Sequence, residues 1–353
     1  MSSSKSSRRL NSISRKSKSL KAASSHFLLN ASALLAEFMA ATNGKYDIPI
    51  RSFSADQLIK ATNNFANVFH KARISFLCSG SFEGRQIIVK KFFDVNDFPS
   101  DSVYNTFSGS INSLVTTARM SKHKNVLRLL GCCLEFKYPV LVYEHPGTDH
   151  LLDLRLKPNN GRSLTWRQRL KIASDVANVI VYLHTAFDTP IIFRIINPTN
   201  VMIDQNGVAK LFDFSYSIAL PPGKLQVEDD IIGVTGYIDP EYYRSGLVTQ
   251  TVDVYSFGVL LLVLLTGNGA TRKDEDGYQV HIVQYLSNFM ANNQFKELVD
   301  QKIMEDIEGI EQEGKLQEFL DLALKCVQEE DKYSRPAMIE VAKELKQIEK
   351  FFR

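Results

Sequence analysis

The chain has 353 residues, 44% of them apolar and 23% charged. This is globular composition at a length beyond that at which one hydrophobic core usually stops growing, so two packed lobes are expected. The net charge of +3 hides an asymmetry, because seven cations and no acid precede His26, which leaves 35 of the 42 cations against all 39 acidic residues. No apolar run reaches the roughly 20 residues of a membrane span, and Cys78, Cys132, Cys133 and Cys326 match neither a zinc pattern nor a secreted disulfide framework, so a soluble protein with reduced, buried thiols is expected.

Residues 1–25 hold Lys5, Arg8, Arg9, Arg15, Lys16, Lys18 and Lys21 among serines, a composition too poor in apolar surface to fold alone, and a disordered basic tail is expected. It either stays solvated or touches an anionic membrane leaflet, at about 1 kcal/mol per nearby cation. Ser2 rules out N-myristoylation at this position. Nucleic acid is not an expected partner, since the basic character stops at the tail and no aromatic residues interleave with it.

Residues 26–66 are read as a helical extension and lead-in. Phe27, Leu28, Leu34, Leu35 and Phe38 fall at helical spacing and Asn43-Gly44 is a stop signal, so an amphipathic helix should dock on the body or on a partner. Ser54 then stands as an N-cap before a short helical run. Residues 67–144 contain β-branched runs such as Gln86–Lys90 and Pro139–Tyr143, and within residues 145–353 helical periodicity dominates after residue 164, where Val259–Leu265 suits a buried helix. The expected fold class is α+β, with a small β-rich N-lobe followed by a larger α-helical C-lobe.

Several motifs occur in the order found in protein kinases, and the resemblance spans about residues 53–350. Ile191–Asp204 reads as the catalytic-loop pattern H-R-D-x-x-x-x-N, Asp213-Phe214-Ser215 resembles D-F-G, and Gly233–Tyr242 resembles the plant receptor-like form G-T-x-G-Y-x-D-P-E-Y. Asp253–Val259 is similar to the buried helix of the kinase C-lobe, and the resemblance implies that Arg335 of Ser334-Arg335-Pro336 forms an ion pair with Glu241. Phe53–Phe65 resembles the lead-in F-S-x-x-x-L-x-x-A-T-N-N-F of plant receptor-like kinases. A bilobal protein-kinase-like fold follows.

The catalytic positions are eroded. Ile195 stands where the resemblance places the Asp that accepts the substrate proton, a transfer worth about 10²–10⁴-fold, and Phe193 replaces the His. Lys90 looks like the phosphate-binding strand lysine, but no acid lies between Asp101 and Glu135 to orient it, and alignment puts Leu114 at that site. His70, Ala72 and Ser75 fall where three loop glycines are needed for close approach to phosphates. Leu141–Pro146 resembles the kinase hinge L-V-Y-E-F-M, which implies Tyr143 as gatekeeper and Glu144 as the adenine-binding carbonyl, while Pro146 has no N–H to give the ring, a loss of roughly 0.5–1.5 kcal/mol. Asn200 and Asp213 keep both Mg-binding side chains. Lys90, Glu144, Asn200 and Asp213 therefore form at most a weak Mg-ATP site, or persist as framework, and no cofactor is required.

Ala40–Lys45 and Ile48–Ser54, with the decayed catalytic loop, are similar to the ZRK group of pseudokinases. That resemblance implies a cytoplasmic adaptor in plant innate immunity. Its implied partners are a coiled-coil NLR receptor and receptor-like cytoplasmic kinases modified by bacterial effector enzymes. It implies no catalytic residues, and the basic tail could bring the protein to the inner face of the plasma membrane. The alternative is a weakly active serine/threonine kinase binding Mg-ATP. Between Leu220 and Gly233 the activation segment has no hydroxyl group, and Glu228, Asp229 and Asp230 either mimic a permanent phosphate or solvate a loop. Thr235 and Tyr237 are candidate modification sites.

Overall fold

The computed structural model describes residues 3–42, 50–94, 106–147, 151–156, 164–273, 277–291, 295–307, 309–329 and 334–352, with backbone alone for residues 3–21, 287–291 and 295. The stop signal Asn43-Gly44 and the motif positions Lys45, Ile48 and Pro49 lie outside the described residues. Two compact units result, Met1–Lys122 with Arg128–His145, and His123–Leu127 with Pro146–Arg353.

The first unit contains α1 (Ser3–Thr42), β1 (Arg51–Ser52), α2 (Ala55–Ala61), β2 (Val68–Lys71), β3 (Ser75–Phe82), β4 (Arg85–Phe92), α3 (Thr106–Met120), β5 (Leu129–Cys133) and β6 (Val140–Glu144). Its sheet runs β1-β5-β6-β4-β3-β2, with β1 parallel to β5 and the other pairs antiparallel. The parallel pair depends on Gly131, where a Cβ would stand 2.1 Å from the Arg51 carbonyl oxygen. The lead-in motif has a physical reason at each position. Ser54 and Gln57 form a reciprocal capping box, while Phe53 and Leu58 enter the core beside Val89, Cys133 and Val142. Thr62 donates its hydroxyl to Leu58 O and accepts the N–H of Phe65. Asn63, Asn64 and Phe65 take φ of 49, 57 and 59°, and Asn tolerates that region because its side chain can hydrogen-bond locally.

Helix α1 departs from the sequence expectation twice. It begins at Ser3, where a disordered tail is expected; no Gly or Pro interrupts the chain before Gly44, so the helix continues unbroken. Its docking face takes only part of the expected stripe, Leu34 and Phe38, and leaves Phe27, Leu28 and Leu35 exposed. Asn30 donates to Leu134 O and Phe136 O at 2.9 and 2.8 Å, and Leu34 and Phe38 pack with Ile111, Val115 and Ala118 of α3. Leu28, Leu35 and Met39, spaced i, i+7 and i+11 and therefore on the opposite face, are 69, 62 and 58% exposed. A buried amide recruiting two carbonyls sets the rotation of the helix, because leaving them unpaired costs about 1–3 kcal/mol each.

The second unit contains α4 (Leu152–Leu156), α5 (Trp166–Thr185), β7 (Ile191–Ile192), β8 (Val201–Ile203), β9 (Ala209–Leu211), β10 (Ile218–Ala219), β11 (Val227–Glu228), α6 (Pro240–Ser245), β12 (Leu247–Val248) and α7 (Gln250–Thr266). It continues with β13 (Thr271–Lys273), β14 (Gln279–His281), α8 (Ile282–Ala291), α9 (Phe295–Leu298), α10 (Gln301–Glu305), α11 (Ile310–Cys326) and α12 (Met338–Phe351). As the apolar run predicts, α7 is buried throughout Val252–Thr266. Gly258 lets α11 approach it: a Cβ there would lie 2.6 Å from Cys326 Cβ. Residues 123–127 belong to this unit because Val126 bridges Leu211 and the Leu127 N–H donates to Leu211 O.

All four cysteines are free and buried, as expected. Burial raises the thiols of Cys132, Cys133 and Cys326 to about 12 and that of Cys78 to about 11, from the ordinary thiol value of 9.0. The unfolded chain therefore ionises first as pH rises. Thiol burial is fully stabilising below about pH 9, and its contribution is lost between about pH 9 and 12, at about 1.4 kcal/mol per thiol per pH unit. Melting temperature is expected to fall steeply above pH 9, and an aromatic disulfide reagent at pH 8 should label no cysteine until denaturant is added. Rapid labelling of the native protein would contradict this burial.

Candidate functional site

The catalytic loop hangs on one carboxylate. Asp253, fully buried on α7, accepts the N–H groups of Phe193 and Arg194 at 2.8 Å each and meets His184 Nε2 of α5 at 2.9 Å. Those bonds hold Arg194 at φ 72°, a conformation that is costly for a residue with a long side chain. His184 has no counterpart in the sequence reading; its signal there is a single imidazole inside the apolar run of a long helix.

Phe193 is buried and packs edge-to-face on Phe214, ring centroids 5.2 Å apart. Phe193 thus makes an apolar contact with the D-F-S turn. Ile195 is buried, and its carbonyl accepts the side-chain amides of Asn197 and Asn200 at 2.8 and 2.9 Å. The loop is therefore well ordered around a side chain that can neither take nor give a proton. Asp213 is buried at φ 67°, and its Oδ1 accepts the Ser215 N–H at 3.2 Å. With its amide nitrogen committed to Ile195, Asn200 keeps Oδ1 as an acceptor, so Asn200 and Asp213 retain oxygens of the kind Mg²⁺ takes.

The first unit provides a poor phosphate cradle. The β2–β3 hairpin turns through Ala72-Arg73-Ile74, closed by Ala72 N–H to Ser75 O at 2.8 Å, with Ile74 buried. His70 lies on β2 and Ser75 on β3, so no glycine exposes backbone N–H groups at that turn. Lys90 on β4 is buried; its amine contacts Ser113 Oγ at 3.3 Å and sits 4.6 Å from the Phe92 ring centroid. The α3 residue that meets it is Ser113, not the aligned Leu114, which is buried in the core one position around the helix. Glu144 ends β6, opposite Ile87 of β4, with an exposed side chain 3.5 Å from Arg128. In the second unit, the Pro146 carbonyl accepts the Gln205 N–H at 3.1 Å. Asn200 and Asp213 thus present acceptor oxygens in the second unit, while the β2–β3 turn of the first has no glycine.

The framework ion pair also differs from the expected one. Arg335 binds Asp239, at 2.6 Å from Nη1 to Oδ2 and 3.1 Å from Nη2 to Oδ1, while Glu241 pairs with Arg244. Asp239 precedes Pro240 and caps α6, so its carboxylate faces inward, whereas Glu241 lies on the first turn toward solvent. Tyr237 is buried, which raises its hydroxyl pKa and removes it from the accessible modification sites, whereas Thr235 is exposed.

The protein kinase domain model matches residues 78–347. The protein named non-functional pseudokinase ZED1 of Arabidopsis thaliana is 41% identical over 330 residues, covering 92% of this chain and 96% of its own. Non-functional pseudokinase ZRK2 of the same plant is 43% identical, covering 93% and 90%. A third relative, serine/threonine-protein kinase ZRK1, also of Arabidopsis thaliana, is 42% identical over 92% of both chains. A chain that keeps the kinase framework through Asp253 and Arg335, carries Ile195 in its catalytic loop and aligns nearly end to end with these relatives belongs to the protein kinase family and, within it, to the ZRK group of plant receptor-like cytoplasmic kinase-type pseudokinases.

Proposed function

We propose that this protein is a catalytically inactive or severely impaired kinase that works by binding, as an adaptor in plant innate immunity. It links a coiled-coil NLR receptor to receptor-like cytoplasmic kinases altered by bacterial effector enzymes, acting in the cytoplasm with its basic helix at the inner face of the plasma membrane. The observation that carries this reading is the pairing of an intact framework with a buried, apolar Ile195 where the proton acceptor belongs. The exposed stripe Leu28, Leu35 and Met39 supports a protein-binding surface on α1. Reciprocal capture from plant tissue should recover an NLR, and Leu28→Glu with Leu35→Glu should weaken the capture at least about tenfold. Unchanged capture would remove α1 from the interface.

A second reading, a weakly active serine/threonine kinase, is favoured by the acceptor oxygens of Asn200 and Asp213. Labelled γ-phosphate transfer by the purified protein separates the two. Equal background in wild type and Lys90→Ala is the expected result, with no weak Mg-ATP site large enough to move the melting temperature. Signal that vanishes in Lys90→Ala, and rises in Ile195→Asp, would establish an enzyme instead.

A further inference from the structure

The Arg194 side chain is 1% exposed, and its positive charge is directed at the activation segment. Nη1 donates to Asp229 Oδ2 at 2.6 Å and, at 3.5 Å, to Tyr216 O. Nη2 donates to the Asp230 carbonyl and the Tyr242 hydroxyl. That hydroxyl in turn donates to Asp230 O and accepts the Ile232 N–H at 2.9 Å. The segment is tied from its other side as well: β11 pairs with β12, and the Asp229 N–H donates to Gly246 O at 3.1 Å. Asp229 is the carboxylate that neutralises this buried guanidinium.

Kinase activation segments are commonly ordered when phosphorylation gives an arginine an anionic partner. Here no Ser, Thr or Tyr lies between Leu220 and Gly233 to receive a phosphate, and the carboxylate already stands at the arginine. We propose that Asp229 is a built-in anionic clasp, taking the place on Arg194 that an added phosphate would occupy and holding residues 226–246 in one conformation without modification. Of the three neighbouring acids, only Asp229 performs this task; Glu228 and Asp230 have exposed side chains, and Asp230 contributes its backbone carbonyl. The inference concerns the conformation of the segment and does not depend on the adaptor reading.

Hydrogen exchange on the full chain tests it. Asp229→Asn and Asp229→Ala are expected to speed exchange of the amides of residues 226–233 at least about tenfold, as loss of a charge-assisted hydrogen bond implies. Glu228→Gln and Asp230→Asn should leave exchange within about twofold of wild type, and Asp229→Glu, which keeps the charge, should be close to wild type. Inorganic phosphate at millimolar concentration should slow exchange in Asp229→Ala and leave wild type unchanged. Exchange in Asp229→Asn no faster than in Glu228→Gln and Asp230→Asn would make residues 228–230 a solvated acidic run and overturn the clasp. Acceleration in Asp229→Ala that phosphate does not reverse would overturn the equivalence with an added phosphate.

Discussion

Asp253→Ala is expected to destabilise the second unit by about 3–5 kcal/mol, because it removes a fully buried carboxylate that three groups share. The lost attraction is the smaller part. Two backbone N–H groups, those of Phe193 and Arg194, would be left buried without an acceptor, and each such group costs about 1–3 kcal/mol. Arg194 would also lose the bond that holds its backbone at φ 72°. Asp253→Asn keeps one acceptor oxygen but turns an NH₂ toward another donor, so an intermediate loss is expected. Urea unfolding followed by circular dichroism measures both. A loss below about 1 kcal/mol in Asp253→Ala would mean that the loop is held by packing alone.

Arg335→Met is expected to cost a comparable 3–5 kcal/mol, since it strands the Asp239 carboxylate in a site where both partners are almost completely buried. The guanidinium also donates through Nε to Gln328 O at 2.8 Å and lies 5.0 Å from the Tyr255 ring centroid, so methionine replaces length but not bonding. Removing both charges in Arg335→Met with Asp239→Asn should recover part of the loss, giving a coupling of at least about 1 kcal/mol in a double-mutant cycle. Glu241→Ala is the discriminating control. Its exposed partner Arg244 predicts a change within about 0.5 kcal/mol. Were Glu241→Ala the damaging change and Asp239→Asn the mild one, the pairing described for Arg335 would be wrong.

The contrast between Asp239 and Glu241 shows where sequence legibility stops. Arg335 is 96 residues from its partner, and two carboxylates stand two positions apart, so only the packing of α6 decides which of them points inward. The same limit explains Ser113 and Leu114: the absence of an acid within α3 is plain from the sequence, while the α3 residue that meets Lys90 depends on how the helix is rotated. For α1, periodicity marks an amphipathic helix that docks through Leu34 and Phe38, but Asn30, by binding two carbonyls more than 100 residues away, shares that face while Leu28 and Leu35 of the expected stripe stay exposed. Local chemistry fares better. Ser54 with Gln57 caps α2, and the unbroken apolar run Val259–Leu265 lies within the buried helix α7.

The sequence by itself determined the family, the order of strands before helices, and an apolar isoleucine at position 195, because each of these is written in residue type and spacing along the chain. Only the tertiary structure decided that Asp253 carries the catalytic loop, that Asp239 rather than Glu241 neutralises Arg335, and that Asp229 neutralises Arg194. A buried charge selects whichever opposite charge the folded backbone delivers within hydrogen-bonding distance, and that choice is made between segments tens of residues apart, where spacing along the chain holds no information.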